Sequence, residues 1–101
     1  MSLLYTGDIG ATISINLNST VIPDTTDIEV WVTNPNDVTE KWVLETDELN
    51  RSTGIITHKS KAGELLYDGE YRVQCREVSS NPVTDVGTTI DSFIVYKRLG
   101  A

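Results

Sequence analysis

His58 is the only histidine and Cys75 the only cysteine of the chain, and no other side chains carry so much chemistry near neutral pH. Each needs partners to use it. A zinc site requires further His or Cys ligands, and a histidine-activated nucleophile requires a base held by a third group. His58 lies in Ile55-Ile56-Thr57-His58-Lys59-Ser60 without a second histidine, and it reads as a strand-filling or surface residue. Asp8, Asp24 and Asp27 offer oxygens that calcium takes, but not the dense spacing and glycine of a dedicated loop, so they read as solvated carboxylates capping turns. A glycosidase needs two acids about 5–10 Å apart across a cleft, which a chain of 101 residues scarcely encloses. Gly7-Asp8-Ile9-Gly10 is too short to cradle a phosphate and precedes a strand rather than a helix. The sequence thus predicts no catalytic residue, no metal and no cofactor, and disfavours an enzyme.

Recognition chemistry falls to the aromatic residues Trp31, Trp42 and Tyr67, since exposed rings stack on sugars or anchor partner surfaces. Trp31 and Trp42 sit on the two arms of one expected hairpin, Asp27–Glu45, and are expected either to share an exposed face or to place one ring between two sheets. Asn34-Pro35-Asn36-Asp37 supplies its turn, with proline presetting φ and Asn or Asp accepting local backbone bonds.

The elements that position these residues are strands. Thr, Val and Ile make up 32 of 101 residues, and β-branched side chains suit a pleated surface better than a helix. Ala11-Thr12-Ile13-Ser14-Ile15-Asn16-Leu17 alternates cleanly, with Ala11, Ile13, Ile15 and Leu17 on one face. Ile28, Val30 and Val32 point together, leaving Trp31 opposite. Thr46–Gly54 is polar around a lone Leu49, and Lys61–Gly69 has room for one helical turn at most. In Glu70–Arg76 the inward set is Tyr71, Val73 and Cys75, which makes Cys75 a small core residue rather than a reactive thiol. Ser79-Ser80-Asn81-Pro82 reads as a loop and Val83–Val86 as a weakly paired strand. Thr88–Lys97 is ambiguous: Ile90, Phe93 and Val95 face the core, or Ile94 and Tyr96 do, as a bulge would allow. Six to eight short strands separated by turn signals point to a sandwich or a small barrel in a single domain, residues 1–101.

Composition sets outer bounds. At 39% hydrophobic and 23% charged the chain is an ordinary globular sequence, and its apolar runs, such as Phe93-Ile94-Val95-Tyr96, fall far short of the about 20 residues of a membrane helix. Fifteen acidic against eight basic residues give a net charge of −7, which repels nucleic-acid phosphates and anionic lipid; neither nucleic acid nor membrane is an expected partner. Met1-Ser2-Leu3-Leu4-Tyr5 has no signal-peptide pattern, so synthesis and folding in a reducing cytoplasm are expected. Asn18-Ser19-Thr20 and Asn50-Arg51-Ser52 fit the glycosylation acceptor pattern but read as loop residues.

Several segments together carry a resemblance. Gly7-Asp8-Ile9-Gly10 precedes an alternating strand, Asn34-Pro35-Asn36 stands in a hairpin turn, and Gly54-Ile55-Ile56-Thr57 opens a later strand. Ala62-Gly63-Glu64-Leu65 leads to Gly69-Glu70-Tyr71-Arg72-Val73-Gln74, and Phe93-Ile94-Val95 closes the series. In this order they resemble a family of short immunoglobulin-like phage virion domains that includes the N-terminal domain of tailed-phage upper baseplate proteins. The resemblance implies an all-β, immunoglobulin-like antiparallel β-sandwich of about seven or eight short strands, with Gly69-Glu70-Tyr71 at the corner entering its sixth strand. It also implies a non-enzymatic structural protein of the virion, made in the host bacterial cytoplasm. Such a protein acts through contacts with other phage structural proteins and with copies of itself, in the tail, baseplate or neck. The expected contact residues are Leu3, Leu4, Tyr5, Arg98 and Leu99 in the two chain ends, together with Trp31 and Trp42. The ends Met1–Thr6 and Lys97–Ala101 are expected to order only on a neighbour, for instance by strand addition. Capsid decoration is the alternative within the virion, and a carbohydrate-binding β-sandwich module, with a glycan partner stacked on the tryptophans, is the alternative outside it.

Overall fold

The computed structural model describes residues 3–17, 22, 26–80 and 83–99. Among them there is no helix and there are eight strands: β1 (Leu4–Tyr5), β2 (Thr12–Asn16), β3 (Thr26–Thr33), β4 (Thr39–Trp42), β5 (Leu49–Asn50), β6 (Ile55–Lys59), β7 (Gly69–Ser80) and β8 (Val83–Tyr96). They form a five-stranded sheet in the order β1-β8-β7-β3-β4 and a three-stranded sheet in the order β2-β6-β5. Neighbours are antiparallel except β1, which runs parallel to β8. The all-β expectation holds, as two packed sheets rather than a closed barrel.

Period-two sequence explains which faces meet. In β2 and β6 the buried residues are Ile13, Ile15, Ile56 and His58, joined by Leu17 just beyond β2. They lie over Val30 and Val32 of β3 and Tyr71, Val73 and Cys75 of β7. Cys75 is fully buried, as its place in the alternation requires. Full burial of each aliphatic side chain contributes about 1.5–3 kcal/mol, so this interface supplies most of the drive for the two sheets to close.

The β3–β4 turn forms as its residues demand. The Asn34 side-chain oxygen accepts the N–H groups of Asn36 at 2.9 Å and Val38 at 3.1 Å, and Asp37 takes the left-handed conformation at φ 64°. The resulting register pairs Val30 with Trp42 and Trp31 with Lys41. Paired residues point the same way, so Trp42 follows Val30 into the core and Trp31 stays outside. The two tryptophans therefore do not share a face; of the two expected arrangements, the one that places a ring between the sheets holds, with Trp42 as that ring.

Three expectations change. Ser79 and Ser80 belong to β7, and Val83–Val86 joins the following segment in one continuous strand, β8, because β7 and β8 pair along their whole length. In β8 the ambiguity is settled by a bulge: Gln74 pairs with Ile90 and Arg76 with Gly87, so β8 spends three residues where β7 spends two. Phe93 and Val95 then face inward while Ile94 and Tyr96 face outward. Finally, the described part of the chain ends, residues 3–6 and 97–99, packs on the chain itself rather than on a neighbour, and residues 1, 2, 100 and 101 lie outside the described residues. Leu4 and Tyr5 pair with Val95 and Tyr96, Thr6 N–H donates to Tyr96 O at 2.9 Å, and Arg98 N–H donates to Thr6 Oγ1 at 3.1 Å.

The corner entering β7 is locked from two sides. Tyr71 is buried, stacks on Phe93 at 5.2 Å with the rings 8° apart, and accepts the Tyr67 N–H at its hydroxyl oxygen at 3.0 Å. Burial pushes its phenol above the ordinary tyrosine value. Gly69, at φ 130°, leaves room for the β3–β4 turn, since a Cβ there would sit 2.9 Å from Pro35 Cγ. Gly7 also has a positive φ, 80°, but open space around it. Gly69→Ala is expected to destabilise the protein by about 2–4 kcal/mol, from backbone strain plus overlap, and Gly7→Ala by about 1–2 kcal/mol from strain alone. Urea midpoints of the two variants check this; equal losses would mean that the Pro35 contact plays no part.

Candidate interaction surface and the buried histidine cluster

The two chain ends form one edge of the five-stranded sheet. In the parallel β1–β8 pairing, Leu4 lies over Val95 and both enter the core, whereas Tyr5 lies beside Tyr96 on the outside, ring centres 6.3 Å apart. Leu3 and Ile94 are outward by the same alternation, so Leu3, Tyr5, Ile94 and Tyr96 make an apolar patch, each 38–55% exposed. Leu99, 92% exposed, projects just past it. Arg98 is tied down, its guanidinium bound to the Asp8 carboxylate, which also accepts the Tyr5 N–H at 2.9 Å. Asp8 thus joins the two ends. Asp27 is an exposed residue of β3, and Asp24 and Asn18-Ser19-Thr20 lie outside the described residues.

Of the residues expected to make contacts, Leu3, Tyr5, Arg98 and Leu99 are brought together at this edge, with Leu4 beneath them in the core. Trp31 lies on the outer face of the same sheet but three strands from β1, in β3. Its indole N–H donates to Glu29 Oε1 at 3.2 Å, and the Arg76 guanidinium stands over its ring at 5.8 Å from the centre. Glu29 also meets Lys41 at 3.6 Å and Arg76 at 3.8 Å, so Trp31 is one member of a polar network rather than a bare platform. Trp42 is core, in contact with Phe93 and His58. Ile94 and Tyr96 figure in the sequence only as one of two possible core-facing sets, and their outward placement follows from a register that local sequence does not fix.

A groove of about 640 Å³ opens between β1–β8 and the edge strand β2, and Leu3, Ile94 and Tyr96 of the patch form its rim. Ile13, Ile15, Leu4 and Phe93 give it an apolar lining, and Asp91 stands on its wall.

His58 is the second feature that sequence reasoning missed in part. It fills a strand, as expected, but it is 1% exposed and each ring nitrogen meets a carboxylate: Nδ1 lies 2.9 Å from Glu48 Oε1 and Nε2 2.8 Å from Glu64 Oε1. Trp42 covers the ring, centres 5.3 Å apart. Glu48 also accepts the N–H groups of Glu45 at 2.9 Å and Lys59 at 2.8 Å, and Glu64 accepts that of Lys61 at 2.7 Å. Burial opposes the Glu48 charge, but the hydrogen bonds from Lys59, Glu45 and His58 outweigh it and hold the carboxyl below the ordinary glutamate value. Each ring nitrogen thus has a carboxylate oxygen within hydrogen-bond distance. Neither nitrogen is left to meet a substrate, so the cluster acts as a structural clasp: it pins the 45–48 and 61–64 turns to β6. In the sequence, Glu48 and Glu64 look like any polar loop residues, because only the fold brings them to His58.

The chain matches no family model, and no curated protein or solved structure is significantly similar to it.

Two outcomes follow for the clasp. His58→Phe leaves two desolvated carboxylates without their shared donor and is expected to cost about 3–5 kcal/mol, read as a lower urea midpoint. Because the folded-state pKa of Glu48 is depressed, its contribution is complete above the unfolded carboxylate value and is lost as the pH falls through the folded one. Stability is therefore expected to drop as the pH passes below about 4.3, the ordinary glutamate value, and Glu48→Gln to flatten that slope in pH-resolved unfolding curves.

Proposed function

We propose that this chain is a non-enzymatic, immunoglobulin-like assembly subunit of a tailed-phage virion, in the tail, baseplate or neck, working through protein–protein contacts at its terminal edge. One observation carries the reading: Leu3, Tyr5, Ile94 and Tyr96 form a contiguous apolar patch at a sheet edge, on a rigid scaffold. Clustered apolar exposure at an edge strand is a feature of association surfaces, and tyrosines supply much of the affinity at such surfaces.

The immunoglobulin-like part is supported by strand order. A five-strand layer in which the last two strands lie between the first and third, facing a three-strand layer of second, sixth and fifth, matches the order of such sandwiches. The tyrosine that closes the corner before β7, with its hydroxyl bonded to backbone four residues upstream, is a further mark of them. The virion assignment rests on the sequence resemblance.

Native mass spectrometry over a wide concentration range tests the contact. A discrete trimer or ring is expected, with association at least tenfold weaker in Ile94→Lys and Tyr96→Lys; a monomer at every concentration, indistinguishable from both variants, overturns self-contact through this patch. Antibodies against the chain are expected to decorate the tail region of phage particles in electron micrographs, and particles that contain none of the chain overturn the virion assignment.

A further inference from the structure

The patch faces outward, but the groove beside it has a different construction. Ser60 N–H donates to Ala11 O at 2.8 Å and Leu17 N–H to Gly54 O at 2.9 Å, so residues 11 and 17 of the β2 segment bond toward β6. Antiparallel alternation extends this to Ile13 and Ile15 and turns the backbone groups of Thr12 and Ser14 the other way, to the side on which no described strand pairs with β2. That open edge is the rim of the groove, and both Thr12 and Ser14 line it. Its volume, about 640 Å³, falls in the range of about 300–1,000 Å³ in which proteins hold ligands.

Asp91 narrows the occupant. It pairs with Val73 and lines the groove, yet is itself exposed, so its carboxylate stands at the solvent-facing wall of the opening. Its Oδ1 accepts only the adjacent Ser92 N–H, at 2.8 Å, and among the described residues no Lys or Arg pairs with it. A carboxylate on the wall of a groove, with no cation paired to it, favours a cationic side chain on whatever enters. A second copy of a chain with net charge −7 is a poor source for that cation.

The geometry points to strand addition in trans: the groove receives an extended segment of a different protein, which pairs with Thr12 and Ser14 of β2, seats alternate apolar side chains over Ile13, Ile15 and Phe93, and sets a basic side chain against Asp91. Backbone pairing supplies affinity and the side-chain alternation supplies specificity, as in other edge-strand complexes. This deepens the reading of the chain as a contact-making subunit by naming the chemistry of one partner.

The probe is a fluorescein-labelled ten-residue peptide of alternating Val and Thr with one central Lys on the valine face, compared with the same peptide carrying Glu. Fluorescence anisotropy is expected to show saturable binding of the Lys peptide, at least tenfold weaker binding of the Glu peptide, and the reverse preference in Asp91→Lys. Hydrogen exchange is expected to slow at Thr12 and Ser14 on binding. Ser14→Pro, which removes an N–H turned away from β6, is expected to abolish binding; its native mass and circular dichroism establish that it folds, and the Asp91→Lys swap stands if it does not. No saturable binding by either peptide, or equal binding of both, overturns the proposal. So does a self-oligomer that Ser14→Pro dissolves, since a second copy then fills the groove. Tyr5 belongs to the patch and not to the groove lining, so absent peptide binding with an oligomer that Tyr5→Lys weakens overturns only the added strand, and the opposite result overturns only the self-contact.

Discussion

A buried histidine between two carboxylates is the constraint around which the rest of this sandwich is arranged. Apolar residues fill a core in many interchangeable ways, but a desolvated ring with two hydrogen-bonding nitrogens must be met on both sides or it destabilises the fold. His58 is met by Glu48 and Glu64, which stand 10 and 6 residues away. To reach it, the turns on either side of β6 must fold back against the small sheet, and each carboxylate then also takes up backbone N–H groups of its own turn or of β6. No buried side-chain polar atom is left unpartnered among the described residues. The cluster thus converts two polar loops into fixed parts of the scaffold.

The same ring ties the layers together. Trp42, on the last strand of the large sheet, lies against His58 of the small sheet and against Phe93, which stacks on Tyr71. One run of aromatic contacts therefore links β6, β4, β8 and β7, and it ends at the corner where Tyr71 accepts the Tyr67 N–H. Rigidity of this kind suits a protein whose work is to present surfaces, because ordering a partner-facing edge in advance reduces the entropy lost on association.

The edges are treated unequally. At β1 the chain ends are bound to each other by the Asp8–Arg98 pair and the Thr6 contacts, yet the outward side of that strand pair is apolar. At β2, among the described residues, no strand pairs with the edge above the groove that Asp91 lines. Proteins that avoid association blunt such edges with charge or proline; here the blunting is missing from both places on the same side of the molecule. The outer face of β3, by contrast, ties the half-buried Trp31 into a network of Glu29, Lys41 and Arg76.

What the sequence by itself determined was the material of the fold. Alternation in Ala11–Leu17, Ile28–Val32 and Tyr71–Cys75 specified strands and their inward faces, and Asn34-Pro35-Asn36-Asp37 specified the hairpin, because both depend on neighbours one to four residues apart. That Leu3, Tyr5, Arg98 and Leu99 of the two chain ends come together at one sheet edge was not legible in the sequence. Tertiary structure decided the rest. The direction of Trp42 hung on the pairing of Val30 with Trp42, that of Ile94 and Tyr96 on one extra residue in β8, and the meaning of His58 on two distant glutamates. Each is a question of register between strands or of contact between loops. A shift of one residue inverts every face beyond it, and local preference is nearly indifferent to such a shift, so the packing of the two sheets makes the choice.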